Sequence, residues 1–139
     1  MGKAEISINT TTGKVKVDKI VACHYIGKAI NPESVRGQVL GSISMSWGYA
    51  LPEDSRDLDG QCLADNFGTY KLQRSSDIPE YKVILLEEPE PIGPYGVIGI
   101  CKPPSVATAP AITNVDYNAI GVRITSLPIT PKKILEALN

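Results

Sequence analysis

Apolar and polar residues alternate along the first part of the chain. Ala4-Glu5-Ile6-Ser7-Ile8-Asn9 has a period of two, Thr12-Gly13 interrupts it, and Lys14-Val15-Lys16-Val17 resumes it before the apolar run Ile20-Val21-Ala22-Cys23. Side chains in a strand point alternately to opposite faces, so the pattern predicts a hairpin whose second strand runs deeper into the core. The period then changes. Asn31-Pro32-Glu33 supplies a capping side chain, a proline whose missing N–H is no loss at the first helical position, and an acid near the positive end of the helix dipole. Val35, Val39, Ile43 and Trp47 follow at four-residue steps. One amphipathic helix from 32 to about 50 is expected.

That helix also carries Gly37, Gly41 and Gly48. Glycine costs roughly 1 kcal/mol relative to alanine inside a helix, so something should compensate. The expected compensation is another backbone packed closely against the glycine face. A functional alternative is that Gly41, one turn beyond Gln38, clears space for a ligand that the Gln38 amide contacts.

Residues 51–60 are polar and turn-rich, hence a loop or a hairpin connection. Tyr81-Lys82-Val83-Ile84-Leu85-Leu86 predicts a buried strand, ended by Glu88-Pro89-Glu90-Pro91. Gly93, Gly96 and Gly99 then punctuate a loop closed by Pro103-Pro104, a backbone able to approach a ligand or another segment closely. Ile112, Val115 and Ala119 form a helical stripe with Gly121 placed to end it, and Thr130-Pro131 caps a terminal helix striped by Ile134, Leu135 and Leu138. Strands and helices do not alternate as in a doubly wound sheet. The expected class is α+β, a mixed or antiparallel sheet with packed helices, in a single domain spanning 1–139.

Composition narrows the function. At 139 residues and 42% hydrophobic content, the chain can bury roughly two-thirds of its unfolded surface in one core. Fourteen basic and fifteen acidic residues leave a formal charge of −1, and no basic stripe tracks a phosphate backbone, so nucleic acid is not an expected partner. Neither a membrane-length apolar run nor a basic-then-apolar leader is present, so no membrane partner is expected. Cys23, Cys62 and Cys101 are scattered and odd in number, which argues against a disulfide framework and for the cytoplasm. With one histidine they make neither an iron–sulfur nor a structural zinc site. His24 reads as a strand-end residue.

Three stretches together resemble one family. The first is Gly27-Lys28-Ala29-Ile30-Asn31-Pro32 running into Gly37-Gln38-Val39-Leu40-Gly41 and Gly48-Tyr49-Ala50-Leu51. The second is Asn66-Phe67-Gly68-Thr69-Tyr70-Lys71-Leu72 followed by Asp77-Ile78-Pro79. The third is Gly96-Val97-Ile98-Gly99-Ile100-Cys101-Lys102-Pro103-Pro104 leading to Ala109-Pro110-Ala111-Ile112. In order and spacing they are similar to the C-terminal part of the molybdopterin-binding catalytic subunit of xanthine dehydrogenases and aldehyde oxidases.

The resemblance implies a molybdenum hydroxylase acting on an aldehyde or N-heterocycle, with electrons leaving through iron–sulfur and flavin subunits or domains. It implies that Gln38, Gly99 and Cys101 belong to the molybdopterin environment. It also exposes two departures. The family's general-base glutamate, preceded by glycine, falls at Lys102, preceded by Cys101; a lysine is an ammonium at neutral pH and takes a proton only after heavy desolvation. The family's glutamine-glycine pair falls at Met45-Ser46. The expectation is therefore a subunit segment, inactive in isolation, that holds the cofactor only with the remaining catalytic-subunit segments and self-associates without them. The alternative is a non-catalytic domain that kept the fold and serves in assembly or small-molecule binding.

Overall fold

The N-terminal hairpin forms as its alternation requires. In the computed structural model, which describes residues 1–139, β1 (Gly2–Ile8) pairs antiparallel with β2 (Val15–Tyr25), Ala4 lying opposite Ile20 and Ile8 opposite Val15. The inner face of β2 carries Val17, Ile20, Ala22 and His24, all buried. Charges on the outer face pair with one another instead, Lys3 with Glu5 and Lys16 with Asp18.

The other edge of β2 takes β5 (Glu80–Leu86) in parallel, with Ala22 opposite Val83, in a three-stranded sheet ordered β1-β2-β5. Parallel neighbours need a long crossover. Here residues 26–79 supply it, including α1 (Pro32–Ala50), so the sheet is mixed within an α+β fold. β5 is the strand 81–86 foreseen from its apolar run, but it lies at an edge and buries only Val83. It meets α1.

α1 begins where the cap places it: the Asn31 side chain accepts a hydrogen bond from the Ser34 N–H at 3.0 Å. Val39, Ile43 and Trp47 point inward, and Val35 is half-buried at the start. β3 (Asp57–Leu58) and β4 (Gln61–Cys62) make a small hairpin through Asp59 and Gly60, at φ 51° and 79°. Two consecutive residues of positive φ are what a tight hairpin turn needs. Asn66 then caps the single-turn α2 (Phe67–Tyr70).

α3 (Pro103–Ile120) packs against α1 and β1. It differs from expectation at its start, because Pro103 and Pro104, foreseen as the close of a loop, form its first turn. Proline lacks only an N–H that the first turn cannot use. Gly121 ends α3 in the left-handed region at φ 76°. Ile112 is fully buried and Val115 half-buried, whereas Ala119, foreseen on the same stripe, is exposed. α4 (Pro131–Leu138) is capped by Thr130 and anchored by Ile134, while Leu138 at its end is exposed. Between sheet and helices, Val17, Ile20, Val39, Ile43, Trp47 and Ile112 form the centre of one continuous core.

Candidate functional site

Two connections leave the same end of the parallel pair. The β2–α1 connection, residues 26–31, leads to Gln38; the β5–α3 connection, residues 87–102, carries Gly99, Cys101 and Lys102. They are held together by backbone. The Ile98 N–H donates to the Ile26 carbonyl at 3.0 Å and the Lys28 N–H to the Gly96 carbonyl at 2.7 Å. The Ser42 hydroxyl, one turn after Gln38, reaches the Cys101 carbonyl at 3.4 Å. The structure thus brings α1, one turn after Gln38, beside the 99–102 loop.

On α1, Gln38, Gly41, Met45 and Tyr49 share one exposed stripe at helical spacing. Neither Gly37 nor Gly41 has any other part of the chain within 4 Å of where a Cβ would stand. The expected compensation, another backbone packed on these glycines, is therefore absent at both. Gly48 is different, lying against the Glu53 carboxylate and the Gln73 amide. Gly37 and Gly41, on either side of Gln38 in the sequence, face open space.

Gly99 is equally open, and Cys101 and Lys102 are exposed. Lys102 lies at the N-cap of α3 and forms no salt bridge with any of the chain's carboxylates. The deep burial that would let a lysine serve as a base is not provided by this chain. The backbone N–H groups of Gly99, Ile100, Cys101 and Lys102 donate to no backbone carbonyl. Four unused donors beside an exposed carboxamide suit the carbonyl, ring-nitrogen and oxyanion edges of a pterin. His, Cys, Asp and Glu side chains nowhere converge in threes.

A separate groove of about 530 Å³ runs between α1, α3 and residues 123–127, walled by Tyr49, Val106, Pro110 and Arg123 among others. It contains none of Gln38, Gly99, Cys101 or Lys102 and meets their surface at Tyr49, the far end of the Gln38 stripe, and at Ser105, in the first turn of α3. This groove is thus apart from the four residues at which the family resemblance places the cofactor environment and the base. Arg123 on its wall stacks over Tyr117 at 4.6 Å from the ring centre and donates to the Asn114 side chain at 3.1 Å.

His24 holds a different position from these. It is 7% exposed on the inner face of β2, its Nε2 has no partner, and burial, with the N-terminal ammonium adding to it, holds its pKa below the ordinary value. It is a neutral core residue near the strand end. The sequence reading missed Ser42 as a tie between helix and loop, because nothing in a lone serine marks its partner 59 residues away.

Residues 2–79 match the model of the molybdopterin cofactor-binding domain family. The chain is 31% identical over 135 residues to a probable xanthine dehydrogenase subunit of Bacillus subtilis, covering 97% of this chain and 18% of that protein. It is 32% identical over 142 residues to the aldehyde oxidoreductase molybdenum-binding subunit PaoC of Escherichia coli, covering 96% of this chain and 19% of the relative. The fold superposes on the aldehyde oxidoreductase of Desulfovibrio gigas with a TM-score of 0.90 and 31% identity, over 97% of this chain and 15% of that one. The chain therefore spans less than a fifth of the length of these relatives. With more than half of its length matched by the family model and its fold shared with a solved oxidoreductase, this chain belongs to the molybdopterin cofactor-binding domain family.

Proposed function

We propose that the chain serves as one segment or small subunit of a molybdenum-dependent hydroxylase of the xanthine dehydrogenase and aldehyde oxidase type, oxidising an N-heterocycle or aldehyde. The observation that carries this reading is the meeting of the Gln38 stripe with the 99–102 loop, through Ser42 and Cys101, around positions where glycine leaves open space. In it, Gln38 and the free N–H groups of residues 99–102 hold one edge of the pterin. When bound, the cofactor supplies the redox chemistry of substrate hydroxylation, and this chain supplies orientation.

The remaining pterin contacts come, in this reading, from other segments of the catalytic subunit, and iron–sulfur and flavin subunits carry electrons away in the cytoplasm. The exposed Met45, Tyr49 and Val106, set along neighbouring faces of α1 and α3, support a covering partner. Residues 1–139 act as one domain of that assembly. No helix is long and apolar enough to cross a membrane.

The exposed Lys102 favours a second reading, a domain that kept the fold but not the chemistry and that works in assembly or small-molecule binding. Gentle purification from native cells with metal analysis separates the two: molybdenum together with a larger partner is expected, and a lone chain free of molybdenum would overturn the hydroxylase reading. In an active complex, Lys102→Glu is expected to leave turnover intact or raise it, because a carboxylate can accept a proton where an ammonium cannot. A tenfold or greater loss of kcat would show that the lysine has a role of its own.

A further inference from the structure

We propose that Gly27 is a positioning residue, and that with Gly96 it forms a latch which sets the 99–102 loop against α1. The inference rests on the site proposed above and adds what fixes its geometry.

Gly27 takes φ +62°, and a Cβ built on it would overlap the Gly96 carbonyl oxygen and stand 3.0 Å from the Ile98 nitrogen. A side chain at position 27 would thus occupy the place where the second connection lies. Gly96 is itself at φ +72°, and a Cβ there would stand 2.9 Å from the Cβ of Pro89. Its carbonyl accepts from two N–H groups, Lys28 at 2.7 Å and Glu90 at 3.1 Å, so one oxygen joins both connections. Gly27 and Val97 form an antiparallel bridge, Ile98 donates to Ile26, and the Ala29 N–H donates to the Glu87 carboxylate at 3.0 Å.

These bonds lie just ahead of the site on both strands of chain. Position 27 is four residues from the cap Asn31 of the helix that bears Gln38, and position 96 is three residues before Gly99. The N–H groups of loop 99–102 make no backbone bonds, and the one backbone bond to its carbonyls, from the Ser105 N–H to Lys102, ties it forward to the first turn of α3 and not to α1. Its placement is inherited from the latch behind it and from the Ser42 tie ahead of it. An added methyl at 27 would move the loop away from α1 and separate Cys101 and Lys102 from Gln38.

The test needs no cofactor. Hydrogen exchange of the Lys28 and Ile98 amides and the alkylation rate of the exposed Cys101 are measured in the full 139-residue chain, with peptide mapping to separate Cys101 from the other cysteines. Gly27→Ala is expected to speed exchange at both amides at least tenfold and to change the Cys101 rate severalfold, with exchange in α1, α3 and the β1–β2 ladder unchanged.

Gly27→Asn distinguishes contact from strain, since asparagine tolerates positive φ but still brings a Cβ. It is expected to behave like Gly27→Ala. At Gly121, where φ is +76° and space is open, asparagine is expected to recover what alanine loses. If Gly27→Ala does not fold, Gly96→Asn, with its lesser overlap, is expected to give the same local signature. Unchanged exchange at Lys28 and Ile98, an equal effect from Gly13→Ala at the far end of the hairpin, or rescue by Gly27→Asn would each overturn the latch. Because these readouts are taken without cofactor, they judge it independently of whether the assembled protein carries molybdenum.

Discussion

Replacing Asp116 by asparagine is expected to stabilise the protein at pH 8 by about 1–3 kcal/mol and to leave its stability at pH 4.5 nearly unchanged. Asp116 lies on α3 with 1% of its surface exposed, and its Oδ1 has no partner. Burial pushes its pKa up from 3.8 to about 6. No cation of the chain is within salt-bridge distance to offset the cost of charging it.

A carboxyl whose folded pKa exceeds its unfolded value binds its proton more tightly in the native state. Its contribution to stability is complete below about pH 4, declines as pH rises, and is gone above about pH 6. At about 1.36 kcal/mol per pKa unit, the whole contribution is about 3 kcal/mol. Asparagine keeps the shape and cannot ionise, though burying its amide without partners retains part of the penalty. Urea unfolding of both proteins at pH 4.5 and pH 8 decides it, because carboxylates elsewhere affect both alike. Parallel stability-versus-pH curves for wild type and variant would show that Asp116 is not buried as a charge.

Ile112→Ala is expected to lower stability by about 2–5 kcal/mol. Ile112 is fully buried in the core cluster on α3, the helix that meets both α1 and β1. Truncation loses the transfer free energy of the removed carbons and leaves a cavity that three rigid elements cannot collapse to fill. With total stabilities of about 5–15 kcal/mol for domains of this kind, that is a large fraction. The check is a lower urea midpoint at unchanged m-value. A loss under about 1 kcal/mol would mean that α3 does not pack on the sheet as described. The same contact bears on the site, since α3 starts at Pro103, directly after Cys101 and Lys102.

The two predictions concern a single helix whose character was only partly legible. Ile112 was visible as a core residue from spacing alone. Asp116, one turn further on, was not, because sequence gives no reason for a carboxylate to point inward, and the inward direction follows from where α3 settles on β1. The start of α3 was similarly hidden: a pair of prolines after a glycine-rich loop reads equally well as a stop or as a first turn.

Local physics determined what the sequence by itself could tell. Alternation set the β1–β2 hairpin, the Asn31-Pro32 cap set the start of α1, and the four-residue stripe set the face on which Val39, Ile43 and Trp47 are buried. These depend on neighbours a few residues apart, so the order of residues contains them. The order also carried the family pattern, and with it Gln38, Gly99, Cys101 and Lys102 as a collinear set. Only the tertiary structure decided that β5 adds in parallel at the edge of β2, that Gly37 and Gly41 face open space, that Ser42 touches Cys101, and that Gly27 seats the backbone at Gly96. Each depends on where segments dozens of residues apart come to lie, and the contacts use backbone atoms that every residue shares or a lone serine hydroxyl, so they leave no signature along the chain.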